Sequence, residues 1–283
     1  MCGIVGIYHK KEPACGDVYD ALIQVQHRGQ DAAGISTWDT EKISTHKYTG
    51  LVTEVFKHQK TFDKLAGNIG IGHVRYPTAG GDNVSEAQPF FTANPVNISL
   101  AHNGTLTNSE KLKEELIRIN FCQFNTNSDS EVLLKQFCYE LYKTNFRKLT
   151  KTHVYKALNN VFQKCSGGYA VVMIVAGIGL VAFRDPKGIR PLSLGKYKNS
   201  YLIASESSAI TAMGYDLESD IKPGQVVIID EQGNVDKKRP IKGSTNQPCL
   251  FEYVYFSRPD STVDEISVHK SRLRMGDFLG EKI

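Results

Sequence analysis

The chain has 283 residues, 41% of them apolar and 23% charged, enough for one large or two modest domains and too ordinary in composition for a disordered or fibrous class. A net charge of +4 spread over 34 basic and 30 acidic residues makes no clustered basic face for nucleic acid, and no segment reaches the roughly 18 apolar residues of a membrane helix. Six cysteines, at 2, 15, 122, 138, 165 and 249, form no CxxC pair, so neither a disulfide framework nor a zinc site is suggested; without a secretory signal the chain is expected in the cytoplasm.

The sequence begins MCGIVGI, with a strand expected over 3–8. If Met1 is removed, Cys2 carries a thiol that can attack a carbonyl and a free α-amine, of pKa about 7.7 to 8.0, that can move the proton. While Met1 is attached that nitrogen is an amide and has no basic lone pair. The plainer reading of Cys2 is a small buried hydrophobe near a chain end. Val18, Ala21, Leu22 and Val25 have helical spacing over 17–27, and Gly29 is expected to end that helix in a left-handed cap. A strand over 33–38 follows, then a polar stretch with short helical pieces to Leu65. A strand over 69–74 runs into RYPTAGGDN, a loop by composition.

Residues 98–101 predict a strand that ends at His102, Asn103 and Gly104, where Asn-Gly taken alone reads first as a hairpin turn. Thr107 and Glu110 have capping-box spacing before a helix over 111–119. Further helices are expected over about 130–142, with Asp129 at or near the N-cap, and 154–164. Strands follow over 169–176, 179–183, 201–204 and 225–229. The first of these, YAVVMIVA, is apolar on both alternations and should be covered on both faces. Strands, a group of helices and strands again, with no βαβ repeat, predict an α+β fold of two sheets with helices packed outside. Residues 231–248, rich in Lys, Gly, Asn, Gln and Pro, read as a linker between a domain over 2–230 and something new over 249–283, with a helix near 271–279.

Six segments in one order carry a resemblance: MCGIVGI, QHRGQDAAG at 26–34, GHVRYPTAG at 72–80, AHNGTLTN at 101–108, NTNSDSE at 125–131 and FRDPKGIRPL at 183–192. Across essentially the whole chain they resemble the glutamine amidotransferase domain of the class II, N-terminal-nucleophile type. Tyr76 and Pro77 narrow the resemblance to the amidophosphoribosyltransferase family, because the sister family that makes glucosamine 6-phosphate has a Trp in place of Tyr76 and lacks Pro77. The resemblance implies a four-layer αββα sandwich that releases ammonia from glutamine through a Cys2 thioester. That ammonia would go to phosphoribosyl pyrophosphate, giving 5-phosphoribosylamine in the first step of de novo purine biosynthesis.

Amide hydrolysis needs a nucleophile, a proton shuttle, an oxyanion stabiliser and a grip on the amino-acid end. Cys2 fits the first two roles. Asn103 and Gly104 fit an oxyanion hole built from a side-chain amide and a backbone N–H. Arg75 can hold the α-carboxylate in a two-point contact, and Thr78 can add a hydrogen bond. Asp129 can pair with the α-ammonium, or serve as a plain helix cap. By resemblance Arg28 orders the glutamine loop or Cys2; the plainer reading is a surface Arg in a turn. His73 shares a strand face with Arg75 and is not expected to act as the base. The segment from Arg75 to about Glu86 is expected to close over glutamine.

No metal or cofactor is expected in this segment. The resemblance places Mg²⁺ and phosphoribosyl pyrophosphate in a phosphoribosyltransferase domain of which 249–283 would be the truncated beginning. VVIIDEQGN at 226–234 lacks the Ser- or Thr-rich phosphate loop of such a domain and reads as the last strand and turn of the first. Without CxxC or a propeptide, no iron-sulfur cluster is expected, and the family likeness implies a homo-oligomer. Two other readings stay open: a stand-alone glutaminase or another glutamine-dependent transferase, and a catalytically silent regulatory module on the same fold.

Overall fold

Alternation along the first strand builds two cores at once. In β1 (Gly3–Tyr8), Ile4 and Tyr8 enter an apolar layer shared with Ile71, Val172 and Leu180, while Val5 and Ile7 point the other way, against Val18 and Leu22. The structure, a computed structural model, describes residues 2–76, 84–119 and 121–283.

Two antiparallel sheets make the middle of the molecule. The first runs in the order β11 (Asp216–Asp220), β9 (Ser193–Tyr197), β10 (Ser200–Ala204), β1, β4 (Ile69–Arg75), β2 (Ala32–Trp38) and β3 (Ile43–Thr49). The second runs β13 (Val235–Lys238), β12 (Val226–Asp230), β8 (Gly179–Arg184), β7 (Gly167–Val175), β6 (Ile98–Leu106) and β5 (Phe90–Thr92). Outside the first sheet lie α1 (Cys15–Gln24), the short α2 (Val52–Val55) and α3 (Gln59–Asp63), and α7 (Ser207–Ala212). Outside the second lie α4 (Ser109–Arg118), α5 (Asp129–Tyr142) and α6 (Lys151–Lys164). The four layers are therefore helix, sheet, sheet, helix, as expected.

Strand β7 shows why the sheets face each other. Val171, Met173 and Val175 pack on the helices and Ala170, Val172 and Ile174 on the opposite sheet, all fully buried. Full burial of such side chains is worth roughly 1.5–3 kcal/mol each, so an apolar run on both alternations commits β7 to the centre.

Several local expectations are corrected. Strand β6 continues to Leu106, pairing Asn103 with Ala170 and Gly104 with Tyr169, so Asn-Gly is strand and not a turn. Helix α1 ends at Gln24 and passes through a 3-10 turn; Gly29 is extended, at φ −168°, rather than left-handed. Its glycine serves close approach instead, since a Cβ there would lie 2.5 Å from the Arg75 carbonyl carbon. The Thr107 capping box does not form. Asn108 is the cap residue of α4, and its side chain instead bonds Lys164 O and Ser166 N, tying the start of α4 to the chain between α6 and β7. Strand β3 appears within the stretch read as polar with helical pieces, because a half-exposed edge strand lacks a clean alternation. Strand β13 lies inside the expected linker and extends the second sheet past residue 230.

Residues 249–283 form a π-helical turn over Glu252–Phe256, a hairpin of β14 (Thr262–Val263) and β15 (Ile266–Ser267), and α8 (Val268–Gly280), which starts earlier than expected. Buried polar groups hold this segment to the sandwich. Arg184 makes a two-point contact to Asp264 at 2.7 and 2.8 Å, and Arg28 reaches Glu252.

Candidate active site

Where β1 begins and β6 ends, the two sheets and the start of α5 leave a cavity of about 180 Å³. That is small against the roughly 300–1,000 Å³ of pockets for drug-sized ligands and suits a single small metabolite. Cys2, Arg75 and Tyr76 line it from the first sheet, Gly104 from β6, and Asp129 and Ser130 from α5.

Cys2 precedes Gly3 and continues the alternation of Ile4, so it falls on the face between the sheets. It is half-buried, with Sγ 3.9 Å from the Tyr76 carbonyl oxygen. Burial pushes its thiol up from the ordinary value, against the Tyr76 backbone and the positive charges of Arg75 and Arg28. Asn103 shares a strand face with Ala101, which packs between the sheets. It is 1% exposed and, unlike its neighbour Gly104, is not among the residues that line the cavity; among the described residues neither of its amide atoms has a hydrogen-bond partner. Gly104 has φ +149°, and a Cβ there would lie 2.0 Å from Gly168 O; only glycine lets β6 run this close to β7 beside the cavity.

Arg75 is buried at the end of β4, and the Asp31 N–H bonds its carbonyl oxygen. Asp129 is the first residue of α5 and not its cap; Ser128 caps the helix, its side chain accepting the Ser130 N–H. One carboxylate oxygen of Asp129 accepts the Leu106 N–H at 2.8 Å, which fixes the group against β6. Arg75 and three carboxylates, Glu86, Glu110 and Asp129, line this cavity, so it offers a contact for each end of a zwitterion within a lining that is acidic on balance. Thr78 lies outside the described residues, as do 77–83 of the segment expected to close over substrate.

Arg28 is not a surface residue. Its Nε donates to the Cys2 carbonyl oxygen at 3.0 Å, and its two terminal nitrogens donate to Glu206 at 2.6 Å and Glu252 at 2.8 Å. Burial works against ionisation of Glu206, but the His27 hydrogen bond and the Arg28 charge prevail and hold its carboxyl down at about 2. Neither glutamate was legible as part of the site, since both are distant in sequence and follow no local pattern. His73 is fully buried and neither ring nitrogen makes a well-formed hydrogen bond, although the His102 backbone lies close. Burial, with neighbouring positive charge, pushes it down to about 3, so it stays neutral.

A family model described as a glutamine amidotransferase domain matches residues 73–212. The chain is 48% identical over 287 residues to an amidophosphoribosyltransferase of Pseudomonas aeruginosa and 46% identical over 289 residues to one of Escherichia coli, in both cases across 100% of this chain and 57% of the relative. Among solved structures it matches glutamine phosphoribosylpyrophosphate amidotransferase from B. subtilis, complexed with ADP and GMP, with TM-score 0.86 and 35% identity over 100% of this chain and 58% of that one. Sandwich, cavity and family match together define a glutamine amidotransferase of the N-terminal-nucleophile fold. Within that class, the chain belongs to the amidophosphoribosyltransferase family as its glutamine amidotransferase part. It spans about 57% of the length of the curated relatives it matches.

Proposed function

We propose that this chain releases ammonia from glutamine by attack of Cys2 on the side-chain amide. The observation that carries this reading is the small cavity lined by Cys2, Gly104, Arg75 and Asp129, with the buried Asn103 amide, unpartnered among the described residues, next to Gly104 in β6. Removal of Met1 exposes the α-amine. The Cys2 thiol gives its proton to that amine as sulfur bonds to the amide carbon. The oxyanion that forms is held by the Asn103 side-chain N–H and the Gly104 backbone N–H. The ammonium then gives its proton to the leaving nitrogen, the C–N bond breaks, and ammonia departs from a thioester. Water attacks the thioester, the amine takes its proton, and the C–S bond breaks to give glutamate and return the thiol. Arg75 pairs with the α-carboxylate, Asp129 with the α-ammonium, and Thr78 adds a hydrogen bond.

The ammonia goes on to phosphoribosyl pyrophosphate, displacing pyrophosphate to form 5-phosphoribosylamine, in a part of the protein beyond this chain. Mg²⁺ belongs with that second substrate. Among the described residues no group of three or more His, Cys, Asp or Glu is placed to hold a metal. The family match and relatives of greater length support this reading. A cytoplasmic homo-oligomer is the setting proposed; among the described residues no helix is long and apolar enough to cross a membrane. Glutamine hydrolysis by wild type and by Cys2→Ala tests the reading: wild type is expected to release ammonia and the variant to release none above background, whereas retained activity would overturn it.

A further inference from the structure

Gln88 joins the strand of the oxyanion hole to the helix that carries Asp129. It is 6% exposed, and its amide is fully engaged. Oε1 accepts the His102 backbone N–H at 2.8 Å, while Nε2 donates to Ser130 Oγ at 3.0 Å and to the His102 carbonyl oxygen at 3.4 Å. A backbone N–H can only donate, so the orientation of the amide is fixed by its partners.

The need for such a group follows from the sheet. Strand β5 pairs with β6 only from Ile98 to Leu100. At His102 that side of β6 has run past its neighbour, and the Gln88 amide offers the acceptor and donor that a strand residue would supply. The backbone of Gln88 is itself clamped. Its carbonyl oxygen lies where a Cβ on Gly34 of β2 would approach to 2.1 Å, and Lys47 of β3 donates to the carbonyl oxygen of Ala87. Gln88 therefore reaches from the edge of the first sheet to the peptide preceding Asn103. Ser130 extends the link, its Oγ lying 2.8 Å from His102 Nδ1.

We propose that Gln88 is a positioning residue for glutamine hydrolysis, holding the 102–104 segment of β6 so that the Asn103 and Gly104 donors meet the oxyanion. The proposal rests on the reading of Cys2 above. Gln88 lines the cavity, but each polar atom of its side chain is already held by a protein partner, and Asp129 has its own hold through Leu106, so the larger effect is expected on turnover rather than on binding.

The test compares wild type, Gln88→Met and Gln88→Glu in the full-length protein. It measures kcat and KM for glutamine and the rate at which iodoacetamide, which needs no oxyanion hole, alkylates Cys2. Gln88→Met is expected to lower kcat by about 10- to 100-fold, as small misplacements of reacting groups do, with KM and alkylation rate within roughly threefold of wild type. Gln88→Glu keeps the acceptor for His102 and is expected to lose less. Wild-type kcat in both variants would overturn the proposal, as would a raised KM with kcat unchanged, or alkylation falling as far as kcat. If Gln88→Met does not fold, Gln88→Glu decides alone: lowered kcat with KM and alkylation retained supports the proposal, and unchanged kcat overturns it. Wild type without glutaminase activity, or active Cys2→Ala, would remove the Cys2 reading and this proposal together, an outcome distinct from failure of the Gln88 variants alone.

Discussion

The Nε of Arg28 donates to the carbonyl oxygen of Cys2 at 3.0 Å while the rest of the guanidinium is held by the buried carboxylates of Glu206 and Glu252. One buried cation thus fixes the backbone of the proposed nucleophile and ties it to a residue in the last part of the chain. Arg suits this position because its planar fork donates in three directions at once, which a lysine ammonium on a flexible stem does not reproduce.

Removing that cation leaves two buried carboxylates without their main partner. Arg28→Met is expected to destabilise the fold by about 3–5 kcal/mol in urea unfolding, and Arg28→Lys by less, with glutaminase activity lowered in both. Unfolding free energies within roughly 1 kcal/mol of wild type in Arg28→Met would show that the cluster does not hold the structure.

The same cluster sets an acid limit. The folded-state value of Glu206, about 2, lies below its ordinary 4.5, so its contribution to stability is fully present above pH 4.5 and is lost as pH falls toward 2. The difference corresponds to something on the order of 3 kcal/mol. Urea unfolding between pH 5 and pH 3 is expected to show wild type losing stability more steeply than Glu206→Gln. Parallel slopes would contradict the assignment.

Asn103 presents stability and activity as opposed demands. Its amide atoms are buried without partners among the described residues, which is costly in a folded ground state and useful for a donor aimed at a charge that forms only during reaction. Asn103→Leu is expected to leave stability unchanged or raise it by roughly 1 kcal/mol while lowering kcat by about 10²- to 10³-fold. A variant that is both destabilised and fully active would reverse this account.

His73 offers a check on the base. At about 3 it is neutral across the working range, so it contributes no acidic limb near pH 6.5. The acidic limb of kcat/KM is expected near the α-amine value of about 7.7 to 8.0 and unmoved in His73→Asn. Loss of that limb in the variant would reassign the base to His73.

The layers of the fold were legible because central strands are apolar on both alternations: YAVVMIVA announced a strand covered on both faces, and β7 is one. The candidate site was legible at Cys2, Arg75, Gly104 and Asp129, where residue type and family pattern coincide and which the structure gathers at one cavity. Asn-Gly taken alone reads as a turn because dipeptide preference is local, whereas β6 is held to Leu106 by pairing with β7. Gln88, Glu206 and Glu252 were hidden for the same reason. Their roles arise from partners 14, 178 and 224 positions away along the chain, and no spacing rule reaches that far.

The most direct measurement is the mass of the N-terminal peptide after the full-length protein is treated with a diazoketone analogue of glutamine. The account predicts a peptide that starts at Cys2, lacks Met1 and carries one adduct on sulfur, with labelling prevented by excess glutamine. An active enzyme that retains Met1, or an inactivating adduct elsewhere with Cys2 unmodified, would contradict it.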